Sequence, residues 1–169
     1  QQAWQYADIF RTAQRWDLAK KALEMAVAHA KKGGSQDRRV NDTLRLAQAQ
    51  ANLGERKDAL QTARSVFDAP ETDKGPILMA GAYEIAPALR GHSMDVEVAK
   101  LVEDAIAQHM QVVIDPKTEE GAAFLATKWH HIRKGWELVI ELYRSTGKDD
   151  LADQARERAA QMLSQQGRL

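Results

Sequence analysis

The stretch Lys128 to Gly147 sets His130 and His131 side by side between Trp129 and Trp136, followed by the carboxylates of Glu137 and Glu141. Histidine is the common ligand for transition metals and the common general base near neutral pH. Three further histidines, His29, His92 and His109, stand alone in the sequence. On a helix, adjacent residues point about 100° apart, whereas a metal pair needs partners three or four residues apart. His130 and His131 therefore diverge. No H-E-x-x-H or E-x-x-H motif occurs, nor a phosphate-cradling G-x-x-x-x-G-K-[ST], a dinucleotide G-x-G-x-x-G or a G-x-S-x-G elbow. The acidic pairs Glu119-Glu120 and Asp149-Asp150 open helical stretches, where negative charge interacts favourably with the helix dipole. Neither pair is read as acid/base machinery, and no cofactor is implied.

Bulk chemistry narrows the classes further. The chain has no cysteine, which excludes disulfides, thiolate metal sites and cysteine nucleophiles. Its 24 basic and 24 acidic residues balance, so it lacks the cationic surface on which nucleic-acid affinity rests. No apolar run reaches the ~20 residues of a membrane span; the longest candidate, Pro76 to Tyr83, is too short. The chain opens at Gln1, already inside a helical pattern and without methionine, which leans toward a processed, exported or periplasmic protein.

The elements that must position any site are helices. Ala, Leu, Gln, Glu, Lys and Arg dominate, and strand-like alternation is absent. Breakers predict helices near 2–14, 16–32, 37–53, 56–68, 76–90, 94–114, 117–145 and 148–165. Gly33-Gly34, Gly54 and Gly147 serve as left-handed stops, Ser93 as an N-cap, and Asp115-Pro116 as the start of the longest helix. Pro87 should kink or shorten the fifth helix. On the long helix, Leu125, Trp129, Ile132, Trp136, Val139, Ile140 and Tyr143 form one apolar stripe, which makes both tryptophans core residues. His130 falls on the opposite side with Lys134, Glu137 and Glu141, and His131 lies further round it.

A small residue after each short turn is matched by a small or apolar one seven positions later: Ala19 and Ala26, Ala59 and Val66, Ala99 and Ile106, Ala152 and Ala159. Seven residues is two helical turns, so each pair marks a face where a neighbouring helix approaches closely. The last unit, with Trp136, Val139, Tyr143, Gly147, Ala152 and Ala159, resembles a tetratricopeptide repeat. Leu46, Ala47, Gly54, Ala59 and Val66 are similar in the second unit, and Tyr6, Ala7, Phe10, Ala19, Leu23 and Ala26 in the first, where Gln14 takes the turn position. The resemblance implies an all-α, right-handed superhelical solenoid of about four antiparallel hairpins, near 2–32, 37–68, 76–114 and 117–165, in one domain spanning 1–169.

It also implies a non-catalytic scaffold that holds a protein or peptide segment on its concave face, lined by the first helix of each pair. Carried onto this chain, that lining is Trp4, Gln5, Asp8 and Arg11; Asn41, Arg45, Gln48 and Asn52; Glu84; and Lys134, Glu137, Glu141 and Arg144. Two other readings compete. Trp4, Ile9 and Phe10 in the first helix suggest self-association or a structural segment of a larger protein, and the histidines suggest a metal- or small-molecule-binding helical domain. The last helix carries Asp150, Asp153, Arg156, Glu157 and Arg158 on its outer side, as a capping helix requires.

Overall fold

The computed structural model describes residues 2–33, 36–68 and 85–166, and among them every regular element is a helix. These are α1 (Ala3–Thr12), α2 (Trp16–Lys31), α3 (Gln36–Asn52), α4 (Arg56–Asp68), a short segment at 85–89, α5 (Asp95–Gln111), α6 (Glu119–Ser145) and α7 (Asp149–Gln165). Most of the predicted fifth helix, 76–84, lies outside the described residues, as does Gly34. Two compact units form. The first holds α1 to α4 and the 85–89 segment; the second holds α5, α6 and α7. Within each, consecutive helices pack on one another: α1 on α2, α2 on α3 and α3 on α4, then α5 on α6 and α6 on α7.

The hairpin turns share one hydrogen-bond pattern. After α1, α3 and α6, the amides of Arg15, Glu55 and Lys148 donate to the carbonyls of Phe10, Gln50 and Tyr143 at 2.8, 2.9 and 2.9 Å. The preceding amides, of Gln14, Gly54 and Gly147, donate to Arg11, Ala51 and Arg144 at 3.0, 3.0 and 2.9 Å. This double closure satisfies the last carbonyls of a helix and requires a left-handed residue at the stop. Gly54 (φ 78°) and Gly147 (φ 70°) meet that need, whereas Gln14 (φ 54°) adopts it as a non-glycine. The next helix then starts at once, with Ala19, Ala59 and Ala152 donating to Arg15, Glu55 and Lys148.

Those alanines explain the repeat. Ala19, Ala59 and Ala99 have no exposed surface and Ala152 has 1%, and their partners Ala26, Val66, Ile106 and Ala159 are all buried. A methyl group is all the room the approaching helix leaves. Around the first pair, Ala7, Ala22, Leu23, Val27, Leu46 and Ala49 form a continuous apolar cluster, with Phe10 and Trp16 packed at its edge.

Three local expectations differ. Ser93 does not cap α5: its φ is 57°, it lies two residues before Asp95, and its carbonyl accepts from Arg56 Nη2. The long helix begins after Asp115-Pro116, because Thr118 is its N-cap and accepts from the Gly121 amide at 3.0 Å. Its apolar stripe also turns near its start. Phe124, Gly135 and Leu142 are buried alongside Ile132, Trp136, Val139 and Tyr143, while Leu125 is exposed and Trp129 and Ile140 are half-buried.

Candidate binding groove

In the first unit, α1 and α3, the first helices of successive hairpins, are linked by long polar side chains. Arg11 donates from Nη1 to Asp8 Oδ1 at 3.2 Å and from Nη2 to Gln48 Oε1 at 2.7 Å. Arg45 on α3 pairs with the same Asp8 oxygen, Nη1 to Oδ1, at 3.1 Å. One carboxylate thus bridges two guanidiniums, and Asp8 sets the spacing of both. Arg11 Nε is buried and has no hydrogen-bond partner within the protein.

Beside this bridge opens a cavity of about 280 Å³ lined by Arg11, Asn41, Leu44, Arg45, Gln48, Pro87 and Ala88. Its lining combines the polar Arg11, Asn41, Arg45 and Gln48 with the apolar Leu44, Pro87 and Ala88. Its volume falls just under the ~300–1,000 Å³ of small-molecule pockets. Next to it, Arg38 lies over the Trp4 ring, Cζ 5.5 Å from the centroid, and pairs with Asp42 at 3.7 Å. Asp42 is 3% exposed, and burial raises its carboxyl above the ordinary range even though Arg38 and Arg45 pull it down. Arg11 and Arg45 thus share one surface carboxylate, Asp8, while the buried Asp42 interacts with Arg45 through its charge.

Of the residues expected at a partner surface, Arg11, Asn41, Arg45 and Gln48 line this cavity and Asp8 joins it through its ion pairs. Trp4 lies under Arg38, and Asn52 donates to the Gln48 carbonyl at 2.9 Å. Glu84 lies outside the described residues. Lys134, Glu137, Glu141 and Arg144 are exposed along α6 in the second unit. Leu44, Pro87 and Ala88 were missed by sequence reasoning. Leu44 reads as core in any helical pattern, and Pro87 reads only as a helix breaker.

The second unit has its own polar links. Tyr143 on α6 donates to Glu103 on α5, and Arg158 on α7 donates to both Glu103 oxygens at 2.9 Å. His130 is exposed and His131 half-buried, their rings 5.8 Å apart. Among the described residues no group of three or more His, Asp or Glu is placed to hold a metal ion. His109 is fully buried on α5, with its ring edge-on to Phe124 at 5.0 Å. A larger cavity, about 630 Å³, opens at the connection from α5 to α6, between Gln108, Val113 and Glu120. Of the residues singled out from the sequence it includes Asp115 and Glu120, both read there as helix-start residues, and none of those expected at a partner surface.

No known family pattern matches this chain, and no curated protein matches it. In structure the chain is similar to a kinesin light chain protein of Podosopora anserina, described as having nearly identical TPR-like repeats. The two share 16% identity over 96% of this chain and 93% of the other, with a TM-score of 0.43. Among the described residues no helix is long and apolar enough to cross a membrane.

Proposed function

We propose that this chain is a non-catalytic helical-repeat scaffold whose first unit holds a peptide segment of a protein partner in the groove between α1, α3 and residues 85–89. The observation that carries this reading is the convergence of Arg11, Asn41, Arg45 and Gln48 from two helices on one cavity that Leu44, Pro87 and Ala88 also line. Rigid helices present these groups, so binding would order few side chains of the protein itself. The apolar lining residues would anchor one side chain of the peptide, and the guanidiniums and amides would fix its direction.

The test uses peptides selected from a random displayed library on the intact chain. Their binding is then measured against Ala88→Trp, which fills the cavity, and Arg45→Glu, which inverts one wall. The expected result is loss of binding in both variants at an unchanged melting temperature. Selected peptides that bind both variants as well as the parent would overturn the groove reading.

A second reading, self-association through α1, has one observation in its favour. Tyr6 and Ile9 are 51% and 60% exposed, whereas Leu46 and Ala49, forty residues on in the same repeat register, are buried. In the next hairpin this face is covered by the hairpin before it; on α1 a second copy would cover it. Sedimentation of the parent against Ile9→Lys tests this, with a monomer–dimer equilibrium expected only in the parent. A parent that stays monomeric at high concentration ends the idea.

A further inference from the structure

The Asp8 bridge has a chemical consequence for the ligand. A guanidinium carries five donors in a planar fork suited to carboxylates. Arg11 and Arg45 meet at a single oxygen, Asp8 Oδ1, from 3.2 and 3.1 Å, on the wall of the cavity. Asp8 is midway along α1, with its side chain 41% exposed, and the Arg11 and Arg45 side chains are 26% and 36% exposed. The bridge is thus accessible to a competitor. Asp8 is the exposed carboxylate that both guanidiniums share, and Asp42, the other acid that acts on Arg45, is buried, so an incoming carboxylate at the surface meets both guanidiniums.

We propose that the groove takes a peptide bearing an aspartate or glutamate side chain, whose carboxylate displaces Asp8 from Arg11 and Arg45. This rests on the reading that the groove holds a peptide. Asp8 acts as an internal placeholder: it keeps both guanidiniums aimed at the seat while the groove is empty and competes with the ligand for them. A side-chain carboxylate, rather than a chain terminus, is favoured because Asp8 shows that such a group fits between the two forks. Leu44, Pro87 and Ala88 then contact an apolar neighbour of that acidic residue.

The test is an NMR titration of the intact chain, following the Nε–Hε signals of Arg11 and Arg45. The probes are three short peptides: capped Gly-Leu-Glu-Leu-Gly, its capped glutamine twin, and the glutamine twin with a free terminal carboxylate. Each is titrated into the parent, Asp8→Ala and Asp8→Asn, with circular dichroism to confirm that both variants stay folded. The glutamate peptide should shift both arginine signals and bind about tenfold tighter once Asp8 is neutralised, while the capped glutamine peptide gains nothing. Equal binding of the two capped peptides would overturn the carboxylate seat and leave the groove reading standing. A gain confined to the free-terminus peptide would overturn it in favour of chain-end recognition. Unchanged affinity in both Asp8 variants would overturn the placeholder, and no perturbation by any peptide would overturn the seat and count against the groove as well.

Discussion

The phenolic hydroxyl of Tyr143 donates to Glu103 Oε1 at 2.8 Å, fastening α6 to α5 across forty residues of sequence. The same carboxylate receives Arg158 from α7, whose guanidinium also lies over the Trp136 ring, Cζ 5.9 Å from the centroid. All three described helices of the second unit therefore meet at one acidic side chain. Burial first, and Glu103 second, push the Tyr143 phenol above its ordinary range, so it stays a donor. Tyr143→Phe should cost about 1 kcal/mol, the net worth of one such hydrogen bond. Glu103→Ala should cost more, because it strands both Tyr143 and Arg158. Urea unfolding followed by circular dichroism measures both; a Tyr143→Phe variant as stable as the parent would show that the bond contributes nothing.

The turn after α1 offers a gain in stability. Gln14 holds φ at 54° in the same double hydrogen-bond closure that Gly54 and Gly147 complete. A residue with a Cβ is disfavoured there by about 1–2 kcal/mol, partly offset by the greater freedom glycine loses on folding. Gln14→Gly should therefore raise stability by about 0.5–1 kcal/mol. Gly147→Ala should lower it by a similar amount for purely conformational reasons, since an added Cβ would meet nothing within 4 Å. Opposite shifts in melting temperature are the expected result, and shifts of the same sign would contradict the account.

The buried alanines predict steric sensitivity. Ala59 has no exposed surface, and its amide already anchors the first turn of α4 on the Glu55 carbonyl. Ala59→Leu should cost about 1–3 kcal/mol by overpacking. Ala160, on the exposed side of α7, should accept leucine at little cost. Comparing unfolding midpoints of the two substitutions checks this, and equal midpoints would refute the close-approach explanation.

What sequence made legible was chiefly local. Gly54 and Gly147 announce themselves because only a left-handed residue closes the turn, and the alanines recur because helix approach tolerates nothing larger. Among the described residues, helix limits lie within a few residues of the expected ones for the same reason. Harder to see was anything decided by a partner helix. Extrapolating the Ile132–Trp136 stripe backward selects Leu125, but the neighbouring α5 buries Phe124 instead, against His109. The groove candidates follow from position within the repeat, but the meeting of Arg11 and Arg45 at Asp8 depends on the spacing of α1 and α3, which no local pattern encodes. His109, the deepest histidine, carried no signal at all, while the conspicuous His130 proved exposed.

That buried imidazole gives a pH prediction. His109 on α5 has no hydrogen-bond partner at either ring nitrogen within the protein. Burial, and then the charges of Lys128 and His131 on α6, depress it from 6.5 to about 4. At pH 7 it is neutral both in the fold and in the unfolded chain, so its burial is unopposed by charge. As pH falls below about 6.5, the unfolded chain takes up a proton that the fold refuses, and stability declines until the folded form titrates near 4. A depression of this size corresponds to a loss of about 3 kcal/mol. Asp42 works in the other direction, since its raised carboxyl is disfavoured when charged, so the parent profile alone mixes the two. His109→Leu, similar in volume, removes only the histidine contribution. The difference in unfolding free energy between parent and variant should shift by about 3 kcal/mol between pH 7 and pH 4, against the parent at the acid end. Parallel profiles would mean that His109 finds a proton or a partner in the fold that burial against Phe124 does not provide.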